Sequence, residues 1–181
     1  MCLTRNAERG EQMAKLQVGD VMPDFLFDTP FSRGNTLVQA MGGVKTAIVF
    51  LRYYGCTLCR LDLAQYKAGY TALQQAGGQL LVVLQSDADL LRQELEGQNS
   101  FPFDIVCDPK GDLYQQFEIL PAESKVKMAG PGTMVKIAKA TAAGHHHGRY
   151  EGDELQLPAA FVLDADRHVL FAHYAKTVDD V

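Results

Sequence analysis

Thr46-Ala47-Ile48-Val49-Phe50-Leu51-Arg52 runs into Tyr53-Tyr54-Gly55-Cys56-Thr57-Leu58-Cys59. The first seven residues are short, apolar and partly β-branched, which suits a strand buried on both faces. Gly55 ends that strand. A helix is predicted from about Cys56 to Gln75, stopped by Gly77-Gly78. Two cysteines three residues apart therefore sit where a buried strand turns into a helix. On a first helical turn they are close enough to close a disulfide.

Outward from this point the chain repeats the pattern. Gln79 to Gln85 reads as a second buried strand, and Ser86-Asp87 as the cap of a helix reaching to about Gly97. Phe103 to Val106 is a short third strand, and Asp112 to Phe117 a short helix. The strand–helix–strand–helix order predicts a parallel sheet with right-handed crossovers. Ala159 to Leu163 and His168 to His173 are two late strands. Asp164-Ala165-Asp166-Arg167 turns between them, so they form an antiparallel hairpin. The result is a mixed sheet with helices on both sides. Residues 121–154 fit least well, with a helix expected only over Thr133 to Ala140.

The chain has 181 residues, 47% hydrophobic and 22% charged, ordinary values for a globular fold with a real core. Net charge is -5, which argues against a global nucleic-acid footprint. No apolar run approaches the length of a membrane span. Met1 to Met13 is polar and lacks the apolar core of a signal peptide. These features lead to the expectation of a cytoplasmic protein whose four cysteines (Cys2, Cys56, Cys59, Cys107) stay reduced unless chemistry oxidises them.

Cys-x-x-Cys has two main meanings in such a chain. A structural zinc site needs four ligands, usually with a second Cys/His pair at similar spacing, and no second Cys-x-x-Cys exists. Burial as two small hydrophobes is a further alternative. The redox reading fits the context better, so no metal or cofactor is expected. A helix N-terminus carries unpaired N–H groups and positive dipole, and these stabilise the thiolate that acts as nucleophile. Cys59, Leu63, Tyr66, Tyr70 and Leu73 share one apolar helical face. Cys59 is therefore expected to point toward the core, and Cys56 to sit at the mouth, nearer solvent, as the attacking sulfur. Arg52 and Arg60 are candidates for electrostatic assistance. Their alternative is a solvated surface position.

The sequence resembles the thioredoxin-like superfamily, and within it the AhpC/TSA peroxiredoxin-like proteins with a Cys-x-x-Cys. The likeness spans about residues 16–175. Val18-Gly19-Asp20-Val21-Met22-Pro23-Asp24-Phe25 looks like the family's opening segment. Ile48-Val49-Phe50-Leu51 leading into Cys59-Arg60-Leu61-Asp62-Leu63 looks like its active-site strand and helix. Phe101-Pro102-Phe103, Cys107-Asp108-Pro109-Lys110-Gly111 and Leu157-Pro158-Ala159-Ala160-Phe161-Val162-Leu163-Asp164 follow in the right order. The resemblance implies an α/β thioredoxin-like three-layer sandwich over residues 16–181. A lead-in at 1–15 would precede it, and an insertion would fall at about 121–154.

The departures are equally specific. Against the Pro-x-x-x-Thr-x-x-Cys pattern of peroxiredoxins, Cys59 takes the cysteine position, Cys56 the threonine position and Arg52 the proline position. The family's later arginine falls near Pro158. The Cys-x-x-Cys and a proline before a late strand look instead like thioredoxin, which implies that Pro158 is cis and faces the dithiol. The resemblance thus implies a thiol oxidoreductase acting on a disulfide-bearing protein or a peroxide. In the peroxide version Cys59 is oxidised first and Cys56 resolves. A thioredoxin-type or glutathione system would be the reductant, and assembly into an oligomer is left open. A non-catalytic metal- or partner-binding sensor is the reading from a different class.

Four further features are weighed. His145-His146-His147 lies between glycines and reads as a flexible surface loop, since consecutive residues do not easily converge on one ion. Residues 121–150 carry Lys125, Lys127, Lys136, Lys139 and Arg149 against Glu123 alone, which reads as a solvated helix face or an attraction for an acidic partner. Cys107 is either a resolving thiol or a small packed hydrophobe. Tyr53 and Tyr54 either wall the site or pack the strand end.

Overall fold

The computed structural model describes residues 15–96 and 100–181. The expected lead-in, apart from Lys15, lies outside the described residues, as do Cys2 and the helix end at Gly97. In chain order the elements are β1 (Leu26–Phe27), β2 (Asn35–Thr36), α1 (Leu37–Met41), β3 (Lys45–Phe50), α2 (Thr57–Gln75), β4 (Gly78–Leu84) and α3 (Ala88–Leu95). There follow β5 (Asp104–Cys107), α4 (Asp112–Gln116), α5 (Lys125–Met128), α6 (Thr133–Ala142), β6 (Ala159–Leu163) and β7 (Val169–Tyr174).

The central sheet has five strands in the order β5-β4-β3-β6-β7. β3, β4 and β5 are parallel, and β6 and β7 join antiparallel. This is the predicted mixed sheet. It follows from side-chain alternation along strands apolar at nearly every position. On β4, Leu80, Val82 and Leu84 enter one core while Leu81 and Val83 enter the other. Val82, Val83 and Leu84 are fully buried, and each such side chain contributes about 1.5–3 kcal/mol over its exposed state. The first core lies between the sheet and helices α2, α3 and α6, the second against α1 and α4. Helices therefore cover both faces.

The caps explain the boundaries. Asp87 accepts from the Asp89 and Leu90 N–H groups and starts α3. Gly77 adopts φ +76 just past the end of α2, the left-handed conformation that glycine takes without strain. The ribbon β1–β2 and α1 were not predicted, although Thr36 and Gln39 form a capping box. Residues 121–154 hold α5 and α6, followed by a segment of irregular backbone from 145 to 154. α6 packs on α2.

The Leu157–Pro158 bond is trans, which corrects the expectation of a cis proline. Just before β6, the Pro158 carbonyl accepts from the Ala175 N–H. Nothing there offsets the ordinary preference of X–Pro for trans.

Candidate functional site

β3 points its C-terminal end at the N-terminus of α2, and the turn between them leads into Cys56 and Cys59. Cys56 is the N-cap of α2, with extended backbone. Its sulfur accepts the Cys59 N–H at 3.4 Å, so a sulfur stands where an N-cap oxygen usually does. Arg52 donates from Nη2 to Cys56 Sγ at 2.9 Å. The same guanidinium donates from Nη1 to the Glu154 carbonyl at 2.8 Å. The Arg52 carbonyl accepts from Gln85 N–H at 2.7 Å, which anchors the turn to the strand beside it.

The two thiols are free and lie in contrasting electrostatic surroundings. The Cys56 pKa is lowered to about 6, most of all by the hydrogen bond from the Cys59 thiol, against the opposing effect of burial. The Arg52 charge and the backbone N–H groups of Cys59 and Leu58 contribute to the same lowering. Burial pushes the Cys59 thiol well up, and its bond to Cys56 adds to that. The pair thus holds one proton near neutrality, on Cys59. Burial lowers the Arg52 pKa, but the Cys56 thiolate more than compensates and the net shift is upward.

The expected exposure of Cys56 is corrected. Cys56 is 1% exposed and Cys59 4%. The irregular segment after α6 packs against Gly55, the residue before Cys56. Gly148 N–H donates to the Gly55 carbonyl at 2.7 Å. Tyr53 donates its hydroxyl to Glu154, and His147 Nε2 lies 3.2 Å from the same hydroxyl. Ser86 donates to Glu151, and Asp153 N–H donates to the Gln85 side chain at 2.8 Å. Burial and the Glu154 bond both push the Tyr53 pKa up, so this phenol stays protonated. Electrostatics, rather than exposure, distinguishes the two sulfurs.

Of the sequence candidates, the structure brings Cys56, Cys59, Arg52 and Pro158 together. Pro158 lines a small cavity with Leu51, Arg52, Leu58, Cys59, Asp62 and Val178. Arg60 does not join them. Its Nε donates to the Tyr54 carbonyl at 3.0 Å, it stacks on the Tyr54 ring, and it faces Glu94 at 3.8 Å. Tyr53 bonds to Glu154 beside Arg52, whereas Tyr54 stacks with Arg60 and lines a separate pocket with Lys67, Phe101 and His145. Cys107 ends β5, and burial pushes its thiol up to about 12. It packs in the core, two strands from β3.

Two residues escaped the sequence reading. Asp62 is buried on α2 and pairs with Lys136 of α6 at 2.9 Å. Burial raises its pKa, and Lys136 pulls it back down. Lys136 is therefore not part of a solvated face. Glu154 is the other, since only the folded segment brings it to Arg52 and Tyr53. Among the described residues, no group of three or more His, Cys, Asp or Glu is placed to hold a metal ion.

Solved structures with this fold include peroxiredoxin 6 of Arenicola marina, at 12% identity and TM-score 0.63. The match covers 91% of this chain and 66% of that one. A thiol peroxidase from Chromobacterium violaceum matches at 14% identity and TM-score 0.61, over 92% of this chain and 80% of that one. A putative thiol:disulfide interchange protein DsbE from Chlorobium tepidum matches at 20% identity and TM-score 0.52, over 88% and 86%. These likenesses establish the thioredoxin fold. No curated protein matches the chain. The model of the AhpC/TSA antioxidant enzymes matches residues 63–177, starting just past the dithiol on the helix that it caps. With more than half of the sequence matched, on a sheet of the same fold, the chain belongs to the AhpC/TSA antioxidant enzyme family.

Proposed function

We propose that this protein is a thiol oxidoreductase that cycles Cys56 and Cys59 between dithiol and disulfide, with Cys56 as the attacking thiolate. The observation that carries the reading is the Arg52 guanidinium 2.9 Å from Cys56 Sγ, beside a neighbouring thiol that keeps its proton. A thiolate is the nucleophile in exchange, and a pKa near 6 makes it the dominant form at neutral pH. With a disulfide substrate, Cys56 attacks one sulfur and expels the other as a thiolate, which takes up a proton. Cys59 then loses its proton and attacks Cys56, closing the protein disulfide and releasing the second thiol. A thioredoxin-type or glutathione reductant restores the dithiol.

Family membership favours a second substrate on the same sulfurs, a hydroperoxide. The Cys56 thiolate would attack the terminal oxygen, the O–O bond would break, and Cys56 would become a sulfenic acid while the leaving alkoxide or hydroxide takes up a proton from solvent to leave as an alcohol or water. Cys59 would then condense with it, releasing water. The order in which Cys59 reacts first is disfavoured, because Cys59 is the protonated partner.

The test is a pair of stopped-flow titrations of the reduced protein, one with a disulfide and one with hydrogen peroxide, with mass spectrometry of the products. Cys59→Ser is expected to trap a mixed disulfide, or a sulfenic acid, on Cys56. Cys56→Ser is expected to lose both reactions. Oxidation that persists on Cys59 in Cys56→Ser at the wild-type rate would overturn the assignment.

A further inference from the structure

We infer that residues 145–154 form a lid over Cys56, latched where Gly148 meets Gly55, and that this lid sets the size of substrate the thiolate can meet. The inference rests on the reading of Cys56 as the reacting sulfur.

The case begins with closure. A cysteine residue 1% exposed reacts with little in solution until something moves. β3, α2 and their cores are built of buried apolar side chains, so they are not what moves. The covering segment is different. It is a single layer of irregular backbone, and His146, His147, Arg149, Tyr150 and Asp153 face solvent. Polar contacts with Gly55, Gln85, Ser86, Arg52 and Tyr53 hold it down. Water can replace each of these bonds when the segment lifts. Its ends are fixed, one at α6 and the other at Leu155 and the buried Gln156, which bond to Ala122 and Ile119, so it can swing without disturbing the sheet.

The latch is steric as well as polar. A Cβ on Gly55 would lie 1.9 Å from the Arg149 carbonyl oxygen and 2.9 Å from its carbon and nitrogen. Only a residue without a side chain lets the two backbones meet this closely. On the facing side, a Cβ on Gly148 would lie 3.2 Å from the Gly55 Cα. Further along, a Cβ on Gly152 would meet Gln85 Cβ at 2.7 Å. Three glycines thus seat one segment against the turn before Cys56 and the strand beside it. A hydroperoxide or a small disulfide needs only a brief, narrow opening. A disulfide inside a folded protein needs the whole segment displaced.

The test reads access, not turnover. The reduced protein is treated with iodoacetamide or with a maleimide carrying a bulky polymer, and the modified cysteine is mapped by mass spectrometry. Gly55→Ala is expected to raise the rate of the bulky reagent at Cys56 by about tenfold or more and to narrow the gap between the two reagents. Gly152→Ala, which strikes the lid at its other anchor, is expected to act in the same direction and stands in if Gly55→Ala fails to fold. Gly69→Ala, at an exposed helix position where a Cβ meets nothing, is expected to leave both rates unchanged. Equal rates at Cys56 in wild type and in folded lid variants would overturn the lid and leave the redox reading standing. Modification at Cys59 instead of Cys56 would overturn the thiolate assignment and the lid with it.

Discussion

Arg52 is the residue on which the proposed chemistry turns, and the sequence only half revealed it. Its place at the end of a buried strand, four residues before Cys56, made it a candidate. Whether it faced sulfur or solvent depended on Glu154, about a hundred residues later in the chain, whose carbonyl holds the other arm of the guanidinium. Arg60 had the same claim from sequence and turned instead to Tyr54. Arg52→Met should raise the Cys56 pKa by about one to three units, the usual effect of losing an opposite charge at this range. The pH dependence of iodoacetamide alkylation measures it, and Arg52→Lys should fall between the two. Stability should follow the same group. The folded pKa of Cys56 is about 6, below the value of about 8.5 in an unfolded chain. Its contribution is therefore fully present above about pH 8.5 and is lost as the pH falls toward 6. The stability gap between the reduced wild type and Cys56→Ser should widen on going from pH 6 to 8.5, as read by urea unfolding.

At the scale of elements, periodicity located β3, α2, β4, α3 and the β6–β7 hairpin, because each is long enough or apolar enough to show its repeat. β1, β2 and α1 are too short for that, and α5 is a four-residue turn of helix. The helical stripe from Cys59 to Leu73 was real but narrower than the buried face, which also takes Leu58, Leu61 and Asp62. A buried carboxylate is invisible to a hydrophobic pattern, since its partner lies on another helix. The Asp62–Lys136 pair fastens α6 to α2, and α6 leads into the lid. Lys136→Met should leave a buried carboxylate unpaired and cost about 3–5 kcal/mol. Asp62→Leu with Lys136→Met should recover most of that loss in denaturant unfolding. A single variant as stable as wild type would show that the pair is not structural.

At the scale of the molecule, the sheet order decides which cysteines can meet. Two strand spacings separate β5 from β3, about 10 Å, whereas a disulfide needs Cα atoms within about 7 Å. Oxidation should therefore link Cys56 to Cys59 and leave Cys107 free, and Cys107→Ser should leave the linkage unchanged in non-reducing peptide maps. The three-residue spacing alone leads to the same expectation. The burial of Cys56 was not legible, because the residues packed against the turn before it include the segment from 145 to 154, far along the chain. The trans bond at Pro158 follows the ordinary preference of X–Pro. The central claim is that the folded molecule keeps Cys56 ionised and Cys59 protonated at neutral pH. Ultraviolet thiolate absorbance of the reduced protein, titrated against pH, tests it most directly. The predicted curve has a transition near pH 6 that disappears in Cys56→Ser and persists in Cys107→Ser. A first transition above about pH 8, the range of an unperturbed thiol, would contradict it.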